Sequence, residues 1–507
     1  MKIIRTENLT PKTALNPDET SWVYNGLDCC VTLEVWEKLQ PNLTPRTRET
    51  YKLSKALQGP ILDMNMHGIL VDAERLEQVK AEIVSKVARL ERQLKRILIE
   101  GYGFDLNWRS PTQLKDFLYN YLLLPVQRKR NSNGKLAPTA DRAALENLSH
   151  HFSAAPLISH MLVLRDLGKK LGFLETEIDA DGYMRCNFNI AGTNTGRLAS
   201  SYSDFGSGTN LQNVDRTLRR IFIPPVGKKF VNLDLEQADS RNVGASCWNK
   251  FLASHGAAFA GAYLDACESG DLHTLVTRMG WPELNWGTDE RLFRSVADQN
   301  AYRNYSYRDL AKRLGHGTNY YGKPPTMAKH SKIPVRLAEE FQRRYFSAFP
   351  CIRAGHEWTA RELATTACIT TILGRQRYFF GRANDDRTLR EAIAYEGQSA
   401  TADEINFGLL NLWRGGNRFP GFQLLAQVHD SVLFEVDEAA CDEATAWALE
   451  ALRVPIELAG GRQFIVPTEA KVGWNWGDVD ADNPDGLRKW KGGDNRQRVN
   501  KPSRRRW

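Results

Sequence analysis

Two short apolar stretches, far apart in the chain, set the strongest constraint on its fold. Residues 228–235 (KKFVNLDL) alternate apolar with polar and read as a strand running into acidic residues. Residues 423–436 (QLLAQVHDSVLFEV) read as two apolar strands joined at His429-Asp430-Ser431, a hairpin. Between them, 250–365 carries a mainly helical pattern. This order predicts an α+β fold, a central sheet with a helical subdomain inserted into it. Each strand segment also brings one carboxylate, Asp234 or Asp430, to a strand end. A charge there is costly unless it meets a cation. Two such groups converging can hold two divalent ions about 3.5–4 Å apart. Mg²⁺ suits such a site because it takes few carboxylates and fills its octahedron with substrate oxygens. Taken alone, two aspartates so distant in sequence read more readily as solvated turn residues.

The rest of the chain narrows the choice. At 507 residues it exceeds one ordinary core, which predicts about three or four subdomains. Eight cysteines without a CxxC pair argue against a disulfide framework or zinc ribbon and for a reduced, cytosolic protein. There is no apolar run of membrane-spanning length and no secretory leader in MKIIRTENLTPKT. The net charge of +8 is gathered at one end: residues 487–507 hold nine Lys/Arg and one Asp, and the remainder balances. That end reads as a flexible arm able to touch phosphates or, equally, as a solubilising terminus. Residues 301–350 hold ten Lys/Arg against three Asp/Glu, a candidate phosphate-facing surface.

Residues 308–320 (RDLAKRLGHGTNY) make that surface specific. Arg308, Lys312, His316 and Tyr320 are spaced by four and share one helix face. Arg308 and Lys312 can grip a triphosphate, and Lys312 can also protonate departing pyrophosphate. His316 can lie over a sugar, and Tyr320 beside a base. An ordinary amphipathic helix is the competing reading. Gly315 and Gly317 weigh against it, since each costs roughly 1 kcal/mol in a helix and suggests a close approach to the backbone. Upstream, 46–98 reads as two helices interrupted at MNMHGILVD, where Gly68 and Asp72 supply turn chemistry. Ser110-Pro111 marks a helix start, and QRKRNSNGK (127–135) a basic loop at the tip of a helical hairpin.

At this point the chain resembles a family A DNA polymerase of a type common in bacteriophages. TNTGRLASS (193–201) with NLQN (210–213) is similar to that family's TGRLSS…NLQN segment, and DLEQADSR (234–241) to its first palm motif, DYSQIELR. RDLAKRLGHGTNYYG (308–322) resembles the fingers-helix motif. TILGRQR (371–377), REAIAYEGQSATAD (390–403) and QVHDSVLFEV (427–436) follow in the family's order. The resemblance implies a right-hand architecture with an antiparallel-sheet palm, helical fingers and a helical thumb. It divides the chain into an exonuclease-like remnant at 1–48, a thumb at 49–180, a palm at 181–250 and 361–480, fingers at 251–360 and a basic flexible tail at 481–507.

Carried over residue by residue, the resemblance makes Asp234 and Asp430 metal ligands with the Leu235 carbonyl as a third. Arg308, Lys312 and His273 become phosphate contacts, with His316 and Tyr320 beside the incoming nucleotide. Asp239 stands where the family has the glutamate that blocks a ribose 2′-hydroxyl. Arg197, Gln212, Asn213, Arg390, Gln398 and His429 become primer–template contacts. The implied cofactor is Mg²⁺, two ions. The implied partners are primer–template DNA and deoxynucleoside triphosphates, with a separate exonuclease subunit, a helicase or a processivity factor as further candidates, and no membrane. The implied role is phage DNA replication in the bacterial host cytoplasm.

The departures are informative. Asp239 is one methylene shorter than the family's glutamate, and His316 replaces an aromatic Phe or Tyr. Ser431 replaces an acidic residue after Asp430, Ala394 replaces an Asn, and Tyr321 adds a second tyrosine. YNGLDCCVTLEVWEKLQP (24–41) looks like the last segment of a 3′–5′ exonuclease, with Tyr24 and Asp28, but one carboxylate cannot supply a two-metal site. The expectation is a chain without its own proofreading. Two other functions compete: a single-subunit RNA polymerase-like enzyme, and a catalytically silent DNA-binding scaffold. An acidic Asp239 disfavours the first, and the joint presence of Asp234, Lys312 and Asp430 the second.

Overall fold

The computed structural model describes residues 16–131, 134–303 and 305–493. At its centre lies a five-stranded antiparallel sheet of β1 (Lys228–Leu235), β2 (Gln423–Val428), β3 (Ser431–Asp437), β4 (Thr468–Gly473) and β5 (Arg488–Lys489). The spatial order is β2-β3-β1-β4-β5. The early strand β1 is therefore central and is flanked by strands made much later. Burial on both of its faces explains the placement. Phe230, Val231 and Leu233 are buried, as are Val432, Phe434 and Val436 on β3. The register sets Asp234 opposite Ser431 on one side and Glu469 on the other.

Before the sheet come α1 (Pro17–Leu39), α2 (Pro45–Ala56), α3 (Gln58–His67), α4 (Ala73–Arg96) and α5 (Ala155–Leu174). The stretch 46–98 thus holds three helices, not two, because the chain also breaks at Leu57. The break at MNMHGILVD is as read. Gly68 ends α3 at φ 75°, and the Asp72 carboxylate caps α4 by accepting from the Arg75 amide at 3.1 Å. The far end of α4 and α5 share a separate core with the segment 106–148, built on Leu94, Phe117, Leu157 and Met161.

Between β1 and β2 lie α6 (Ala238–Glu268), α7 (Leu272–Gly280), α8 (Tyr307–Asn319), α9 (Pro324–Ser331), α10 (Val335–Ala348), α11 (Pro350–Thr366) and α12 (Asp386–Gly416). The helices α6 to α11 enclose a core of their own around Tyr263, Leu310, Leu314, Phe341 and Tyr345. Helix α12 and the later α13 (Cys441–Ala451) pack on the central sheet through Ile405, Leu409, Ala444 and Ala448.

Two expectations are corrected. The basic segment at 127–135 is not a loop on a helical hairpin: Arg128–Arg130 pairs antiparallel with Leu136–Pro138 as a small β-ribbon, and Lys129 is engaged by Asp141 at 3.0 Å. Alternating polar residues around a Gly turn suit a ribbon better than a helix tip. The tail assigned to 481–507 begins too early. Leu487 is buried, Arg488–Lys489 forms the edge strand, and the Trp490 indole donates to Asp442 at 2.8 Å. Apolar anchors and strand pairing override the local charge; the arm from 494 onward lies outside the described residues. Residues 1–15 of the exonuclease-like remnant also lie outside them. The rest of that remnant is α1, a short turn and the start of α2, and Tyr24 and Asp28 are exposed on α1. No described helix is long and apolar enough to cross a membrane.

Candidate active site

The end of β1 and the β2–β3 turn open into a cleft of ≈ 690 Å³ lined by Asp234, Asp430 and Glu469, with α8 forming the opposite wall. The turn is tight because only His429 and Asp430 separate the strands, and His429 takes a left-handed φ of 58°. The Leu235 amide donates to the Asp430 carbonyl at 3.1 Å, which ties the turn to the end of β1.

Both carboxylates sit uneasily as anions. Enclosure by the cleft wall pushes Asp234 up to about 7, and the charges of Asp430 and Glu469 add to this against Lys471 and Arg216. Asp430 is raised by burial first and by Asp239 among its neighbours, against Arg197 and His429. Among the described residues neither joins an ion pair. Nor do the described residues include a group of three His, Cys, Asp or Glu side chains suited to a metal. A cation here would therefore draw its other ligands from backbone, water and substrate oxygens, which is the habit of Mg²⁺. Two under-neutralised carboxylates, one at the end of β1 and one in the β2–β3 turn, fit that ion, with the Leu235 carbonyl beside them.

Helix α8 starts at a capping box between Ser306 and Asp309, so its face toward the cleft is fixed from the first turn. Lys312 stands exposed on that face. Arg308 is not free: it pairs with Asp271 at 2.9 Å. Asp271 also caps α7 and meets Arg294 at 3.1 Å. These partners hold its carboxyl well below the usual range despite burial. His273 is pushed down to about 4 by burial and by the Arg308 and Lys312 charges, so it is neutral and adds no third positive charge. His316 is lowered by burial against the pull of Asp239, and its ring meets Tyr320 edge-on at 4.7 Å. Tyr320 caps the helix rather than belonging to it, and burial beside Asp239 raises its hydroxyl well above the ordinary value.

The close approaches at the α8 glycines come from the protein itself. A side chain at Gly315 would touch Tyr345, and one at Gly317 would lie 2.7 Å from the Met327 sulfur. The inference that a ligand approaches the backbone there is replaced by this packing.

Asp239 occupies the first turn of α6, entered through Gln237 at φ 54°. Its carboxylate accepts from Arg197 at 3.3 Å and from Thr401 at 2.9 Å. Arg197 thus serves Asp239 rather than standing open. Gln212 donates to the Gln427 carbonyl at 3.0 Å, while Asn213 beside it is exposed. Arg390 and His429 are exposed, and Gln398 is half-buried on α12. Sequence reading missed Glu469 and Lys471, which line the cleft from β4. The alternation of VPTEAKVG could have marked a strand with both on one face, but nothing local places that strand beside β1.

Residues 73–478 match the DNA polymerase family A. The chain belongs to that family. It is 28% identical over 463 residues to the thermostable DNA polymerase I of Thermus caldophilus, covering 86% of this chain and 50% of that protein. It is 27% identical over 428 residues to DNA polymerase I of Helicobacter pylori, covering 81% of this chain and 42% of that one. The chain thus spans about half the length of the curated relatives it matches. Its fold resembles the POL domain of Pol1 from M. smegmatis, solved in complex with DNA primer-template and dNTP. The TM-score is 0.66 at 23% identity, over 83% of this chain and 69% of that one. The family-A right-hand architecture is the one described above, with the five-stranded sheet as its palm.

Proposed function

We propose that this family A chain is a template-directed DNA polymerase that extends a primer 3′-hydroxyl with deoxynucleotides, serving phage DNA replication. One observation carries the reading: Asp234 and Asp430 emerge together from the palm sheet and face Lys312 of α8 across a single cleft. Two Mg²⁺ ions bound at Asp234, Asp430 and the Leu235 carbonyl would supply hydroxyl activation and charge neutralisation at the phosphates. The chain's own groups do the rest. Lys312 meets the triphosphate and gives a proton to the leaving pyrophosphate. Neutral His273 donates one hydrogen bond to a phosphate oxygen. Arg308 joins when the phosphates compete with Asp271 for it. His316 and Tyr320 border the sugar and templating base. Gln212, Asn213, Arg390, Gln398 and His429 contact primer and template.

In the reaction, the primer oxygen bonds to the α-phosphorus while the α–β bridging bond breaks. The hydroxyl proton leaves to solvent, and pyrophosphate is protonated at Lys312. Primer extension with deoxynucleotides and Mg²⁺ tests the reading. The unaltered chain should extend, and Asp430→Ala should lose on the order of a thousandfold or more in rate while still binding duplex DNA. Extension that survives Asp430→Ala, or an inactive unaltered chain, overturns it.

A further inference from the structure

Behind the cleft, a buried polar chain joins α6 to α12. Asn242 donates from Nδ2 to Glu404 Oε2 at 2.8 Å and to Thr401 Oγ1 at 3.1 Å. Thr401 Oγ1 lies 2.9 Å from Asp239 Oδ1 at the cleft wall. Asn242, Thr401 and Glu404 are each at most 3% exposed. Polar groups buried this deeply cost free energy unless every one is satisfied.

Within this buried network, Glu404 Oε1 and Asn242 Oδ1 have no partner among the described residues. A proton on Glu404 Oε1 would let it donate to Asn242 Oδ1, on the same amide whose Nδ2 already donates to Oε2, as a two-point acid–amide ring. Burial supports the neutral form, pushing the carboxyl up to about 8, with the Asp403 and Asp239 charges adding and the Asn242 bond opposing. The ring fixes the Asn242 amide, and its second N–H fills the Thr401 oxygen. Thr401 must then send its one hydrogen elsewhere. It has two acceptors in reach, Asp239 Oδ1 and its own helix's Gly397 carbonyl at 3.0 Å. The anionic acceptor forms the stronger bond.

We propose that Thr401, oriented by Asn242 and Glu404, is a positioning residue that locks the Asp239 carboxylate in place and so sets the discrimination between deoxyribose and ribose nucleotides. The inference rests on the polymerase reading. Asp239 is a short acid, and it is anchored on one side by Thr401 and on the other by Arg197. A carboxylate held from two sides cannot swing back to admit a 2′-hydroxyl or turn to accept its hydrogen bond. With the Thr401 anchor removed, it can do both.

The test compares single-nucleotide incorporation of a deoxynucleotide and its ribonucleotide opposite the same template base. Thr401→Val keeps the shape and removes the donor; the deoxy-to-ribo ratio of kcat/KM should fall about tenfold, as expected for losing one bond to a charged group. Thr401→Ser should restore the ratio to within about twofold, and Glu404→Gln, which mimics the neutral acid, should leave it intact. Should Thr401→Val not fold, Thr401→Ala and Asn242→Leu read the same ratio. A ratio unmoved by losing the Thr401 donor, or an equal fall for both sugars, overturns the inference and leaves the polymerase reading standing. Failure of the unaltered chain to use deoxynucleotides overturns both.

Discussion

Leu235 and Asp430 are joined backbone to backbone, amide to carbonyl, at 3.1 Å. The turn that carries Asp430 is thereby tied to the end of the strand that carries Asp234 by backbone hydrogen bonding rather than left to a mobile loop. The core of that sheet should be critical to the site. Phe434, fully buried on β3, faces this test directly. Phe434→Ala should cost about 3–5 kcal/mol of stability by urea unfolding. A cost under about 1 kcal/mol would show that the sheet's core does not hold the strands in place.

Lys312 and Arg308 should behave differently although they are one turn apart. Lys312 is exposed to the cleft, whereas Arg308 is held by Asp271. Lys312→Ala should lower kcat by about a hundredfold or more with little effect on folding. Arg308→Ala should both weaken nucleotide binding and lower the melting temperature, because it leaves Asp271 with one fewer cation. Stopped-flow incorporation and thermal melting of both variants measure the contrast. Equal melting temperatures would count against the Arg308–Asp271 pair as a structural tie.

Glu404 gives a pH signature. Its carboxyl, faced by Asn242, Asp403 and Asp239, is raised to about 8 in the fold from an ordinary 4.5. In that window the folded state holds a proton that the unfolded chain releases. The stability from neutral Glu404 is thus fully present below about pH 4.5 and is lost as pH rises through about 8. Glu404→Gln cannot ionise, so its stability advantage over the unaltered protein should grow across that range by a few kcal/mol at most. Denaturant unfolding at pH 5 and pH 8.5 reads the difference; a pH-independent difference would mean that Glu404 is already ionised.

Two glycines near the cleft should differ in tolerance. A Cβ on Gly322 would stand 2.6 Å from the Gly317 carbonyl oxygen, a backbone atom that also accepts the Gly322 amide at 2.7 Å. A Cβ on Gly317 meets the pliable end of Met327 instead. Gly322→Ala should therefore destabilise by about 1–3 kcal/mol, and Gly317→Ala by less. The reverse order in calorimetry would contradict the packing described here.

What the sequence made legible was local. The alternation in KKFVNLDL, the hairpin around His429-Asp430 and the fourfold spacing on α8 each report one element's own geometry, and the structure has those elements. Asp234 and Asp430 stood out because charge at an apolar strand end is costly. Pairings between distant segments left no such trace. Thr401 and Asp239 are 162 residues apart, and neither neighbourhood shows that they touch. Nothing in the sequence around Glu469 places it against Asp234; strand register does. At the C-terminal end, the density of Arg and Lys masked the two apolar anchors, Leu487 and Trp490, that draw the chain into an edge strand.

The position of β1 at the middle of the sheet has a consequence for biosynthesis. Its partners β3 and β4 begin at Ser431 and Thr468, roughly 200 residues downstream. At translation rates of about 5–20 residues per second, β1 waits roughly 10–40 s on the ribosome with both edges bare. The local helical core of α6 to α11 can close in that interval, but the strand cannot pair. Lys228 and Lys229 at its start and Asp234 at its end are charges of the kind that discourage a waiting strand from pairing with a foreign one. The same aspartate that we propose as a metal ligand in the finished protein thus also guards the nascent chain, and no incomplete product ending before Asp430 can hold both carboxylates.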